Sequence, residues 1–245
     1  AGGALRVCRK SRVLASMIDK ELQGVKKNVP LAPYTTFRIG GKARYFFVAK
    51  STKAILKAVG VARKLRMPFF ILAGGSNILV SDKGFEGLVI KILNSKFQIL
   101  NSKVIIDAGV PLAKLVQESL KNGLSGLEWA IGIPGTIGGA VCGNAGAYGH
   151  STSEAVIGAR AMDQNGEIID FNNQDCHFCY RGSIFSSKGG SASGGKESGN
   201  KLIILEAKIE LAKGDSNEIK EKIKKIITER AGKIPHYPSS GSFFK

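Results

Sequence analysis

Acidic residues and cysteines are scarce in this chain, and long apolar runs are missing. Against 36 Lys and Arg stand 19 Asp and Glu, a formal net charge of +17 over 245 residues. Such a balance points first to nucleic acid. Aromatics, however, are only 7% of residues, the positive side chains are spread along the chain, and no zinc-finger or RNA-recognition signature is present. A diffuse field that draws in anionic small molecules accounts for the charge equally well, and no nucleic-acid partner is expected. The four cysteines, Cys8, Cys142, Cys176 and Cys179, are too few for a disulfide scaffold. No stretch reaches the ~20 apolar residues of a membrane-spanning helix, so no membrane partner is expected either.

The first fourteen residues lack the apolar core of a secretory signal. They are basic and acid-free (Arg6, Arg9, Lys10, Arg12), with a faint transit-peptide character, and are read as a disordered or non-native leader. A cytoplasmic, reducing location is the default. Apolar residues at 43% and charged residues at 22% are ordinary for a globular protein. Glycine is abundant, with 31 residues, and it clusters. Clustered glycine suits backbone that must approach a ligand closely.

Periodicity divides the chain into short elements. Helices are expected over Ser16–Gly24, Lys53–Leu65, Pro111–Asn122 (closed by Gly123) and Ser216–Arg230. Strands are expected over Tyr45–Val48, Pro68–Leu72, Leu88–Leu93, Val104–Ala108 and Lys201–Leu211. Glu154–Phe171 reads as a hairpin turning at Asn165-Gly166. Trp129–Gly149, free of charged residues and rich in glycine and alanine, reads as a loop feeding a short helix. Ser186–Asn200 reads as a flexible surface loop. Helices and strands alternate, but strand pairs also occur without a helix between them. That argues for α+β with mixed sheets rather than a doubly wound sheet.

Two glycine clusters are phosphate-binding candidates. Ala73-Gly74-Gly75-Ser76-Asn77 follows a buried strand directly. Successive glycine amides there can turn inward as a nest for an anion, with Ser76 and Asn77 adding side-chain donors. It is neither a Walker A loop nor a GxGxxG fingerprint. The second cluster runs from Gly132 through Pro134, Gly135, Thr136, Gly138, Gly139 and Ala140 to Asn144 and Gly146. Two such loops suit a diphosphate gripped from two sides. On its own, each cluster could equally be a tight turn.

Taken together, these blocks resemble a known family. Tyr34-Thr35-Thr36-Phe37-Arg38-Ile39-Gly40-Gly41, Ala73–Val80, and Gly126-Leu127-Glu128 with Gly132–Gly149 are similar to the flavin-binding motifs of the UDP-N-acetylenolpyruvoylglucosamine reductases. Tyr180-Arg181-Gly182-Ser183-Ile184-Phe185 is similar to that family's Tyr-Arg-x-Ser-x-Phe motif. The segment from Pro238 to Lys245 is similar to its Gly-Ser-x-Phe motif. The resemblance implies an FAD-binding fold of the PCMH/vanillyl-alcohol oxidase type, with two FAD-binding lobes and the start of a third, substrate-binding domain. The expected divisions are 1–24 (leader and short helix), 25–95 and 96–212 (the lobes), and 213–245.

The resemblance also implies non-covalent FAD, held by Gly74, Gly75, Ser76, Asn77, Ile78, Leu79, Pro134, Gly135, Thr136, Gly138, Gly139, Ala140, Asn144 and Gly146. NADPH would be the reductant and a UDP-sugar enolpyruvyl ether the substrate, in peptidoglycan precursor synthesis. Arg181 would stabilise the developing enolate-like charge and Ser242 would donate the proton. Tyr180, Arg181, Ser242 and Lys245 would bind substrate. The family's C-terminal catalytic Glu has no counterpart before Lys245, so a C-terminally truncated, monomeric chain is expected. The short spacing from Tyr180 to Ser242 favours the family branch without the extra tyrosine-bearing loop.

Other constellations carry less. Cys176-His177-Phe178-Cys179 is a CxxC without the second pair that a metal would need, and it is taken as coincidental. His150, His177 and His236 share no metal spacing, so no metal is expected. Three rivals stand beside the reductase reading: a catalytically silent FAD-binding fragment, another flavin oxidoreductase of the same superfamily, and a nucleic-acid-binding protein.

Overall fold

The structure, a computed structural model, describes residues 15–186, 202–231, 237–239 and 241. The expected flexible loop over 186–200 and the basic leader therefore lie almost wholly outside the described residues. In chain order the elements are α1 (residues 15–21), β1 (Lys26–Pro30), β2 (Lys42–Ala49), α2 (Thr52–Lys64), β3 (Phe69–Leu72), β4 (Phe85–Ile92), β5 (Phe97–Leu100), β6 (Lys103–Asp107), α3 (Leu112–Lys121), β7 (Leu124–Ser125), α4 (Ile137–Cys142), β8 (Gly146–Ala147), β9 (His150–Ser151), β10 (Val156–Met162), β11 (Ile168–Asn172), β12 (Ile203–Glu210), β13 (Ala212–Lys213) and α5 (Ser216–Ala231).

Two main sheets form. The first has the order β1-β2-β4-β3, with β1 antiparallel to β2 and the other pairs parallel. The second has the order β11-β10-β12-β6-β5 and is antiparallel throughout. Helix α2 covers one face of the first sheet. It starts where Ser51 Oγ accepts the Ala54 N–H at 3.2 Å, an N-cap that satisfies one orphan donor. Its apolar stripe, Ile55, Ala58, Val59 and Ala62, is buried.

Strand β4 shows how one sequence serves two faces. Leu88, Ile90 and Ile92 point into the core under α2, whereas Val89 joins a separate cluster on the opposite face with Leu31, Phe46 and Leu72. The core under α2 also contains Met162, Ile203 and Leu205 from the second sheet, so both sheets share it. The β10–β11 hairpin adds a polar tie. Asp163 Oδ1 accepts the Asn165 and Glu167 amides, each at 2.8 Å, with Gly166 at φ +93°. Arg63 Nη2 of α2 donates to the Asp163 carbonyl at 2.9 Å. A third core gathers β6, β12, α3, α4 and Trp129.

Candidate functional site

The chain leaves the buried end of β3 at Leu72 and turns at once into Gly74-Gly75. Gly75 sits at φ +70°, and a Cβ there would lie 2.0 Å from the Tyr34 carbonyl oxygen. A Cβ on Gly74 would lie 2.7 Å from Gly135 Cα. Both positions are therefore closed to any side chain, and the two glycine loops touch backbone to backbone. Ser76 Oγ fastens the contact by donating to the Pro134 carbonyl at 2.9 Å. Thr36 N–H donates to the Gly75 carbonyl at 3.1 Å. Beneath the loop, Lys91 Nζ of β4 donates to the Ala73 carbonyl.

The Ala73 and Gly75 carbonyls of this turn are thus engaged while its amides are not. Among the described residues, the amides of Gly74, Gly75, Ser76 and Asn77 have no hydrogen-bond partner. Two hydroxyls nearby, Thr36 Oγ1 and Thr136 Oγ1, are buried without partners. Buried donors in native proteins are nearly always paired. A set of unpaired donors around two touching glycine loops fits a ligand that brings oxyanions. Lys91 adds charge, and its burial pulls the ammonium below the ordinary lysine range. An apolar cavity of about 300 Å³ opens alongside, lined by Leu31, Thr35, Phe70, Ile78 and Leu79 among others. A ligand with an anionic link and a flat apolar portion suits both features.

The expected cofactor residues divide into two groups. Gly74, Gly75, Ser76, Pro134, Gly135 and Thr136 converge, with Asn77 exposed beside them. Ile78 and Leu79 line the cavity. Gly139 faces open space, where a Cβ would meet only Thr136 Oγ1, at 3.9 Å. Gly138 and Ala140 serve packing. The Gly138 amide donates to Ala108 O at 2.9 Å, a Cβ there would lie 2.8 Å from Ala108 Cβ, and Ala140 is buried in the core. The Ile137 amide is likewise taken, by Val110 O at 2.9 Å. Gly146 belongs to the β8–β9 pair, where a Cβ would lie 2.5 Å from His150 O.

The Tyr180-Arg181 block forms a tight turn. Cys179 and Gly182 exchange backbone hydrogen bonds at 3.0 and 3.2 Å, leaving Tyr180 and Arg181 at the tip. Tyr180 is 73% exposed. Arg181 takes φ +57°, a left-handed conformation unfavourable for a residue with a Cβ, and its Cζ lies 5.6 Å from the Tyr180 ring centroid. The base of the turn is held firmly. Ser183 is fully buried and its Oγ donates to Cys142 O at 2.8 Å. Phe185 packs edge-on against Phe171, with ring centroids 5.2 Å apart. Asn144 Nδ2 donates to Cys179 O at 3.0 Å and its Oδ1 accepts the Ser153 amide at 3.0 Å. Asn144 therefore links the second glycine loop to the arginine turn.

Ser242 and Lys245 lie outside the described residues. The tail just before them does not. Ser239 N–H donates to Thr36 O at 3.2 Å, and Gly241 takes φ +84°. Burial, with the Asp175 charge adding to it, pushes the Cys176 thiol up to about 11, so it stays protonated at neutral pH. Among the described residues no cluster of His, Cys, Asp or Glu could hold a metal. No helix among them is long and apolar enough to cross a membrane. Thr36 and Lys91 were not assigned as site residues from sequence. Thr36 lies within a quoted motif, and Lys91 carried a signal only as a lone cation in an otherwise apolar strand.

Comparison with known proteins agrees with this geometry. Residues 43–172 match the family described as an FAD binding domain. The chain is 35% identical over 237 residues to a UDP-N-acetylenolpyruvoylglucosamine reductase of Clostridium novyi (strain NT), covering 96% of this chain and 73% of that protein. It is 38% identical over 236 residues to the protein of that name from Caldanaerobacter subterraneus subsp. tengcongensis, covering 94% and 74%. Among solved structures, the UDP-N-acetylenolpyruvylglucosamine reductase of Thermus caldophilus superposes with a TM-score of 0.72 at 27% identity, covering 90% of this chain and 73% of that one. The glucose dehydrogenase Phl p 4.0202 shares the fold alone, with a TM-score of 0.59 at 17% identity over 83% of this chain and 44% of that one.

Proposed function

The chain belongs to the UDP-N-acetylenolpyruvoylglucosamine reductase family, with an α+β FAD-binding fold, and from that premise we propose that it reduces the enolpyruvyl ether of UDP-N-acetylglucosamine to UDP-N-acetylmuramate with electrons from NADPH, for peptidoglycan precursor synthesis. The observation that carries the reading is the contact of Gly74 with Gly135, ringed by unpartnered amides and the orphan hydroxyl of Thr136. Those donors would hold the pyrophosphate of FAD, with Ser76 keeping the two loops together and Lys91 supplying charge from below. When bound, FAD supplies the hydride-carrying chemistry that no side chain can.

The chain's own residues then have three tasks. Arg181, at the tip of its turn, would meet the substrate carboxylate, whose charge grows as the alkene is reduced. A guanidinium fork matches a carboxylate, and a fixed cation there favours the charged transition state. The turn supports this role, because it presents Arg181 at an exposed tip above a base held by Ser183 and Asn144. Ser242 would deliver the proton to the second alkene carbon. Tyr180 and Lys245 would help to orient the UDP-sugar. In this reading the two sheets act as the two cofactor-binding lobes, and the segment from residue 213 onward opens the substrate side.

An anaerobic visible spectrum tests the proposal. Flavin bands should bleach with NADPH and return when the enolpyruvyl substrate is added. Bands that bleach and never return would mean that the chain binds flavin without completing the reaction. A chain that takes up no FAD on reconstitution would overturn the reading.

A further inference from the structure

Thr36 is engaged through both of its backbone polar groups. Its N–H reaches Gly75 O at 3.1 Å, inside the loop whose amides are unpartnered. Its carbonyl accepts the Ser239 N–H at 3.2 Å, from the tail that leads through Gly241 to Ser242. Between these, its Oγ1 is buried and without a partner. The segment has little freedom to shift, because the Tyr34 carbonyl is pressed against Gly75. Tyr237, by contrast, is 82% exposed, so the described tail is lightly held.

We propose that Thr36 is a positioning residue that couples FAD binding to the seating of the C-terminal tail. Its hydroxyl donates to an oxygen of the bound cofactor, and its carbonyl holds Ser239, three residues before the expected proton donor. The inference rests on the flavin reading of the two glycine loops. A buried hydroxyl with no acceptor is costly, and a charged oxygen relieves that cost. Filling the acceptor fixes the orientation of residue 36, and with it the carbonyl that the tail uses. Such coupling is reciprocal, so a tail that cannot bond to Thr36 must weaken FAD binding in turn.

The test measures FAD affinity and amide exchange at Ser239 in the whole chain and three variants. In the unaltered chain, FAD should slow exchange at Ser239. Thr36→Val should melt at the same or a higher temperature without FAD, since a methyl needs no partner. It should bind FAD about ten- to a hundredfold more weakly and lose the FAD-induced protection of Ser239 even at saturation. Thr36→Ser should restore both. Ser239→Pro removes the tail's donor outside the folded cores and should weaken FAD severalfold. If FAD binds and Ser239 exchange does not change, or if Thr36→Val or Ser239→Pro binds FAD as tightly as the unaltered chain, the coupling is wrong while the flavin reading stands. If the unaltered chain binds no FAD, both fall together.

Discussion

Gly74 and Gly135 meet so closely that a single methyl on Gly74 would lie 2.7 Å from Gly135 Cα. Neither loop can retreat without cost, because Gly75 is wedged against Tyr34 and Gly135 O accepts the Leu112 amide at 3.1 Å. Gly74→Ala should therefore force the loops apart where FAD is proposed to bind. The expected outcome is at least a tenfold loss of FAD affinity and a stability loss of about 1–3 kcal/mol, the usual range for overpacking. Gly139→Ala, whose Cβ faces open space, is the control and should leave stability unchanged. Flavin fluorescence titration and thermal melting read both.

Lys91 offers a pH signature. Burial depresses its ammonium, whereas a bound pyrophosphate would favour the charged form. FAD affinity should fall as pH rises through the depressed value, because the attracting charge is lost there. Lys91→Met should bind FAD more weakly and with a flatter alkaline profile. The sign for stability runs the other way. A folded value below the unfolded one gives stability above the ordinary lysine range, and that gain is lost as pH falls through the folded value. Lys91→Met should remove this slope from alkaline unfolding curves.

Arg181 separates strain from chemistry. Arg181→Ala keeps the left-handed backbone, should retain FAD, and should sharply slow reoxidation of the flavin by substrate. Arg181→Gly should abolish the same step while relieving the backbone, and should be more stable than Arg181→Ala by about 1 kcal/mol. Ser242→Ala should also retain flavin reduction and slow only the substrate step. Rapid-mixing absorbance at the flavin band, beside thermal melts, distinguishes these outcomes.

Glu128 should matter to acid stability rather than to turnover. Burial works against its charge, but the Ser125 hydroxyl at 2.6 Å, the Gly126 amide at 2.8 Å and Lys222 outweigh that penalty and hold its carboxyl below the ordinary range. A depressed folded value contributes stability above the unfolded value and loses it as pH falls through the folded one. Glu128→Gln should cost ~1–3 kcal/mol at neutral pH. The difference should shrink in acid, as urea melts across pH would record.

Much of this was legible in the sequence. Apolar patterning located α2, α3, β4 and β12, because each buries apolar side chains, and the Asn165-Gly166 turn located the β10–β11 hairpin although β11 is mostly exposed. Strand β1 was missed for a physical reason. Lys26, Lys27 and Asn28 are exposed and Pro30 ends it, a composition that only an edge strand tolerates. Strand β5, at the edge of the other sheet, has the same weakness. The glycine clusters announced close backbone approach, but not which glycine meets which neighbour. Gly138 and Ala140, expected at the cofactor, also pack against Ala108 and in the core, contacts set by tertiary structure alone.

The position of β12 has a consequence for how the protein is born. In the second sheet β12 lies between β10 and β6, although β6 is made from residues 103–107 and β12 from 203–210. The span that matches an FAD binding domain, 43–172, ends before this strand begins. As the chain leaves the ribosome, β6 and β10 must wait with unpaired edges until β12 arrives, and the core shared by the two sheets waits for Ile203 and Leu205. Folding of the cofactor-binding half is thereby tied to synthesis of residues 203–210, and a nascent chain stopped before residue 203 should behave as a client for chaperones rather than as a small flavoprotein.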